Sequence, residues 1–205
     1  MKKRILQPEQ IIVPGEYEIG NESILKIYFR VFDKGHGKNL PPAIVTTVGS
    51  FERLQDRLEE GYKRWEKKEQ EIVAQRRDDY KMLFEILKQH PYILIDGNHK
   101  TAAATLTKKP IFALELQRDK DFEEIERMIE RGEIFDFKRP ERSLDELREG
   151  FVAHCLSLDD IATRYGLMGS LLPGVRYTKT IKERVNELAS NGDLPQYMKD
   201  RYFEK

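Results

Sequence analysis

Apolar positions fall in short runs along the chain, separated by heavily charged stretches. Ile5-Leu6 and Ile11-Ile12-Val13 flank Gln7-Pro8-Glu9-Gln10. This pattern predicts a short strand, or two paired short strands, around a proline turn. Leu40-Pro41-Pro42 followed by Ala43 to Val48 predicts a turn entering a strand. Tyr92 to Ile95 is rich in β-branched and aromatic residues and predicts a buried strand. Ile111 to Leu116, after Lys109-Pro110, predicts another. Ile24 to Phe32 supports two readings. Its β-branched and aromatic content favours a strand, while its apolar residues at 24, 27, 28 and 31 fit one face of a helix. Met1-Lys2-Lys3-Arg4 reads as a solvated basic tag.

From Ser50 to His90 the pattern changes. Nearly every residue is a helix former, no proline interrupts before Pro91, and Gly61 is the weak point. Ten basic and ten acidic residues cancel, and Leu54, Leu58, Tyr62, Trp65, Ile72, Val73, Tyr80, Leu83, Phe84 and Leu87 form an irregular apolar stripe. One straight helix of this length spans roughly 60 Å; a bent helix or a helical hairpin satisfies the same pattern. Such an element suits a dimer contact, a lid, or packing on its own domain. Further on, Asp121-Phe122-Glu123-Glu124 has the spacing of a capping box for a helix ending at Gly132. Ser143-Leu144-Asp145-Glu146 marks another helix start, and Thr180 to Ala189, closing near Gly192, a last one.

The stretch that carries chemistry is Asp96-Gly97-Asn98-His99-Lys100-Thr101, followed by three alanines. Asp-Gly breaks the strand, and the alanines start a helix, with Asn98 as the expected N-cap. A helix start leaves backbone N–H groups without intrahelical partners and carries partial positive charge. Gly97 lets a ligand approach the backbone, and His99, Lys100 and Thr101 add donors, a setting that suits a phosphate. A tight strand-to-helix turn, packed closely through the alanines, accounts for the same residues without a ligand. Lys34, His36 and Lys38, in a loop with two glycines, are further candidates to close over a phosphate.

Composition narrows the classes. The 205 residues accommodate one domain with appendages or two small ones. One cysteine, Cys155, excludes an internal disulfide framework and a cysteine metal cluster, and points to a reducing compartment. His36, His90, His99 and His154 show no metal-ligand spacing, so no metal ligand set is assigned. No apolar run reaches membrane-spanning length and no signal-peptide core is present, so a soluble, cytoplasmic protein is expected. Lys plus Arg and Asp plus Glu balance at 36 each, which removes the global basic footprint of a strong DNA binder but leaves room for a local one.

The strand, Asp96-Gly97-Asn98-His99-Lys100, the Ala-rich helix and the returning strand Lys109 to Leu116 together resemble the ParB/sulfiredoxin superfamily. ParB proteins carry Gly-Glu-Arg-Arg at this junction, sulfiredoxins Gly-Cys-His-Arg, and archaeal ParB-like free serine kinases Asp-Gly-His-His-Arg. This chain is most similar to the last, and Met128 to Phe135 is similar to a segment of the same group. The resemblance covers roughly Ile5 to Leu116, interrupted by the helical insertion. It implies an α+β fold: a small mixed sheet with helices, including a helix over Ile24 to Phe32. The expected divisions are a ParB-like domain over 1–50 and 91–137, an insertion over 51–90 and a helical C-terminal domain over 138–205. It further implies a nucleotide (ATP, ADP or CTP) with Mg²⁺, held by Asp96, Gly97, Asn98, His99, Lys100 and Thr101. A glutamate of the acidic loop, Glu16, Glu18 or Glu22, would be the base toward a small hydroxyl acceptor. Glu18 and Glu22, with His99, are the catalytic candidates. Asn98 stands where sulfiredoxins need a nucleophilic cysteine, which disfavours that chemistry.

Three functions are therefore in competition. The first is a nucleotide-dependent phosphotransferase or NTPase, in which positioning and electrostatics carry catalysis. The second is a DNA-associated partition or nuclease module; Ser157 to Leu167 resembles the first helix and turn of a helix-turn-helix, although Gly169, Pro173 and Gly174 weaken the second helix and the partition box has lost two arginines. The third is an interaction protein that works through the insertion, with a homodimer as its simplest form.

Overall fold

The computed structural model describes residues 1–13, 17, 19–47, 49, 56, 60, 81, 85–135, 137, 142–148, 150, 151 and 178–204. Its centre is a six-stranded mixed sheet: β1 (Lys2–Leu6), β2 (Ile11–Val13), β3 (Ala43–Thr47), β4 (Tyr92–Asp96), β5 (Ile111–Leu116) and β6 (Lys179–Thr180). The spatial order is β1-β5-β3-β4-β2-β6. The pairs β3/β5 and β2/β4 are parallel; β1/β5, β3/β4 and β2/β6 are antiparallel. The α+β expectation holds.

Helices cover both faces of the sheet. On one face α1 (Glu22–Asp33), α2 (Asn98–Leu106), α4 (Ile181–Asn191) and α5 (Gln196–Phe203) share a core with Ile11, Val13, Ala43, Val45, Leu94 and Ala113. On the other, α3 (Asp121–Glu130), Leu87, Ile134, Leu144, Leu147 and Phe151 pack on Ile12, Ile44, Ile93, Ile95, Leu114 and Leu116. Neighbours such as Ile93 and Leu94 thus face opposite ways and are both buried. A strand covered on both faces reads as a continuous apolar run, which is why β4 was visible without alternation. Residues 178–204 contribute β6, α4 and α5 to this same core.

Several local expectations change. Ile24 to Phe32 is helical: Leu25, Tyr28, Phe29 and Phe32 are buried on one face of α1, so tertiary burial outweighs local strand propensity. The basic tag is an edge strand, with Arg4 Nε donating to Glu115 Oε2 at 2.5 Å. The strands around the proline turn do not pair with each other; β1 joins β5 while β2 joins β4 and β6. Asp121 does not cap α3 in the expected way. Its carboxylate accepts the backbone N–H groups of Gln117 and Arg118 instead, closing the loop that leads into the helix. Ser143 and Thr180 do cap, and Thr180 with Glu183 forms a capping box. Gly192 ends α4 in the left-handed conformation.

Within 51–90, Asp56, Glu60, Lys81 and residues 85–89 are helical. The remainder of that stretch, and residues 157–174 with their helix-turn-helix resemblance, lie outside the described residues. No helix among the described residues is long and apolar enough to cross a membrane.

Candidate functional site

The strand β4 ends at Asp96 and the chain reverses into α2 through Gly97, at φ +115°. Only glycine adopts that region without strain. A Cβ here would also lie 3.0 Å from Ala43 Cβ and 3.2 Å from Ala43 Cα, so β3 packs against the turn with no space for a side chain. Gly97, not Asn98, is the N-cap, and Asn98 is the first helical residue. The helix bonding begins with Thr101 N–H on Gly97 O at 2.9 Å. Ala102, Ala103 and Ala104 are fully buried, which lets α2 lie close to α1 and the sheet.

Thr101 turns inward. Its hydroxyl lies 3.0 Å from both the Gly97 and the Asn98 carbonyl oxygens and 2.7 Å from the Tyr17 hydroxyl. Tyr17 in turn donates to Asn98 O at 2.8 Å. Burial pushes the Tyr17 phenol well above its ordinary range, so it stays a neutral donor. These two hydroxyls clamp the acidic loop to the first turn of α2, and Thr101's donor capacity is spent on that clamp.

A second contact adjoins the first. The Asn21 backbone N–H donates to His99 Nε2 at 3.2 Å, while the Asn21 side chain caps α1 through Ile24 N–H. Burial lowers the His99 pKa from its ordinary value, opposed by the backbone hydrogen bond with Asn21 and by the Asp96 carboxylate. An Nε2 that accepts an N–H must also lack a proton, so the ring is neutral with its proton on Nδ1. The N-cap of α1 therefore adjoins the first turn of α2 at His99, and both helix starts carry partial positive charge.

Lys100 is largely buried. Its ammonium donates to Pro42 O at 2.9 Å and lies 3.8 Å from Asp96 Oδ2. Burial lowers its pKa, and the nearby Asp96 carboxylate opposes that shift. Asp96 is more open, its side chain 39% exposed. The same carboxylate adds to the upward shift that burial gives the Tyr28 phenol on α1.

Of the acidic loop, Glu22 is exposed in the first turn of α1 and pairs with Lys26 at 2.6 Å. Its chain neighbour Asn21 touches His99. Glu16 and Glu18 lie outside the described residues. Lys34, His36 and Lys38 are not at the junction. Lys38 lines a cavity of about 180 Å³ with Phe32, Lys109 and Pro110, past the C-terminal end of α2 and opposite Gly97.

Tyr17 and Asn21 are the contributors that the sequence reading missed. An aromatic residue inside a polar acidic loop, and an asparagine just before an amphipathic helix, were the signals available. No family model matches this chain, and no curated protein or solved structure is matched by it.

The groups implied for the junction can be tested against its residues. Mg²⁺ commonly takes one or two carboxylates plus substrate phosphates and water, so the half-open Asp96 is an adequate protein ligand. Among the described residues no group of three or more His, Cys, Asp or Glu side chains gathers as an all-protein metal site. A phosphate placed there would have the first turn of α2 and the His99 Nδ1–H as donors.

Proposed function

We propose that the chain binds a phosphate-bearing small molecule, a nucleotide with Mg²⁺, at the junction of β4 and α2. The single observation that carries this reading is the seating of Asn21 on His99, which sets the N-cap of α1 against the first turn of α2. Positive dipole ends, a neutral imidazole with one N–H to donate, and a glycine turn without a side chain favour an anion there. Asp96 would hold Mg²⁺, whose role is to offset charge on the phosphate oxygens. Lys100 would add its charge by turning from Pro42 O toward the ligand. Thr101 keeps the turn in shape through Tyr17 and does not itself touch the ligand.

We read the mixed sheet with its Asp-Gly turn as ParB/sulfiredoxin-like, and the similarity of its motif to the serine kinase group suggests the chemistry. Phosphoryl transfer to a small hydroxyl compound is the enzymatic form of the proposal. Glu22, one residue from Asn21, would take the acceptor's proton after turning from Lys26. The test is a screen for nucleotide consumption with and without Mg²⁺ against small hydroxyl acceptors. Consumption that needs both Mg²⁺ and an acceptor, and falls in Glu22→Gln, supports transfer. Binding without consumption leaves a nucleotide-binding protein, and the absence of both overturns the proposal.

A further inference from the structure

At the other end of α2 lies a cleft of about 530 Å³, within the size range of small-molecule sites. Four separate segments build it: the turn at Gln7–Glu9, the end of α2, the first turns of α4 and the end of α5. Three lysines line it. Lys182 pairs with Glu9 at 2.6 Å, whereas Lys108 and Lys109 have no carboxylate partner among the described residues.

Two of these lysines sit where the backbone disfavours them. Lys108 has φ +55°, the one non-glycine residue among those described with a positive φ. A lysine bears steric strain there that glycine would avoid. Its ammonium reaches across to the carbonyl oxygen of Glu204. Lys182 is the second residue of α4, at the positive end of that helix dipole, where a cation is unfavourable. The opposite wall carries two aromatic rings and Glu204, whose carboxylate is paired with Arg201 at 3.1 Å. Tyr202 donates to Asn186 Oδ1 at 2.5 Å, and the Phe203 ring beside it is 61% exposed.

We propose that this cleft is a second ligand site, for a small aromatic anion: a planar ring carrying one carboxylate or phosphate. The ring rests against Tyr202 and Phe203, and the anionic group is taken by Lys109 and Lys108. Asn186, whose Oδ1 accepts from Tyr202, directs its amide N–H groups to a ligand acceptor. The site is independent of the junction at Gly97, from which it is separated by the length of α2.

The test follows backbone amide resonances of the full chain during titration with phenyl phosphate, benzoate and inorganic phosphate. Saturable shifts centred on Thr105, Lys109, Asn186 and Tyr202 with either aromatic probe are expected. Lys109→Glu, a change at an exposed side chain, should weaken that binding by about tenfold or more while leaving the remaining spectrum in place. The proposal is overturned if no probe gives saturable shifts there, or if Lys109→Glu binds as well as the parent. It is equally overturned if inorganic phosphate binds as tightly as phenyl phosphate, because the ring then has no role.

Discussion

The backbone N–H of Asn21 donates to Nε2 of His99 across 3.2 Å, joining the N-cap of α1 to the second residue of α2, far apart in sequence. The bond exists only while Nε2 is unprotonated. Burial lowers the His99 pKa from 6.5, so the folded state resists a proton that the unfolded chain accepts. The stability this adds is fully present above the ordinary histidine pKa and is lost as pH falls through the folded-state value. His99→Gln keeps an acceptor without a titration. The parent should therefore lose more thermal stability than His99→Gln between neutral pH and about pH 5. Equal losses in the two proteins would show that the bond does not govern His99.

Tyr17 and Thr101 form the second clamp. If both hydroxyls are structural, Tyr17→Phe and Thr101→Val should each cost about 1–2 kcal/mol of unfolding free energy. The double variant should cost less than their sum, by about 1 kcal/mol, because each partner loses the same bond. Chemical denaturation of the four proteins measures this directly. Additive losses would mean that the hydroxyls act separately, and would return Thr101 to the pool of ligand donors.

Removing Lys100 should have the opposite effect on stability to removing either hydroxyl, and its pH dependence has the same sign as that of His99. Its buried ammonium has one carbonyl partner at bonding distance and a carboxylate only at 3.8 Å. Since burial lowers its pKa, the charged form is the one penalised, and stability owed to this group rises as pH climbs through the folded-state pKa toward 10.5. Lys100→Met should be neutral or stabilising by about 1 kcal/mol near neutral pH, while ligand binding is lost. A stability loss above about 2 kcal/mol would instead make Lys100 a structural tie to Pro42.

Gly97→Ala introduces a Cβ at φ +115° and 3.0 Å from Ala43 Cβ. A destabilisation of about 1–3 kcal/mol is expected from the backbone strain alone. Pairing it with Ala43→Gly removes the Cβ contact but neither the 3.2 Å approach to the residue 43 Cα nor the strain, so only part of the loss should return. A thermally neutral Gly97→Ala would contradict the geometry of the turn.

The elements that could be read from sequence were those with a local cause. Tyr92 to Ile95 and Ile111 to Leu116 carry their own strand signals, and the Asp-Gly pair marks its own turn. The helix read over Thr180 to Ala189 is α4, and it ends at Gly192. What escaped was set by distant partners. Asp121 has a capping-box neighbourhood, yet it closes the preceding loop. Met1 to Arg4 reads as a tail until Glu115 and β5 supply its edge pairing. The six candidate residues sit together at one strand-to-helix turn, but what each of them contacts was not legible. Thr101 faces inward because Tyr17, 84 positions away, lies there to meet it. Nothing in the local pattern distinguishes that threonine from a ligand donor.

The central claim is most directly tested by thermal stabilisation with ATP, ADP, CTP and GTP, each with and without Mg²⁺. At about a hundredfold its dissociation constant, a ligand should stabilise the fold by roughly 2.7 kcal/mol. A Mg²⁺-dependent shift with one nucleotide, abolished in Lys100→Met and reduced in His99→Ala, is the predicted result. No shift with any nucleotide, or an undiminished shift in both variants, would contradict the placement of a phosphate site at Gly97.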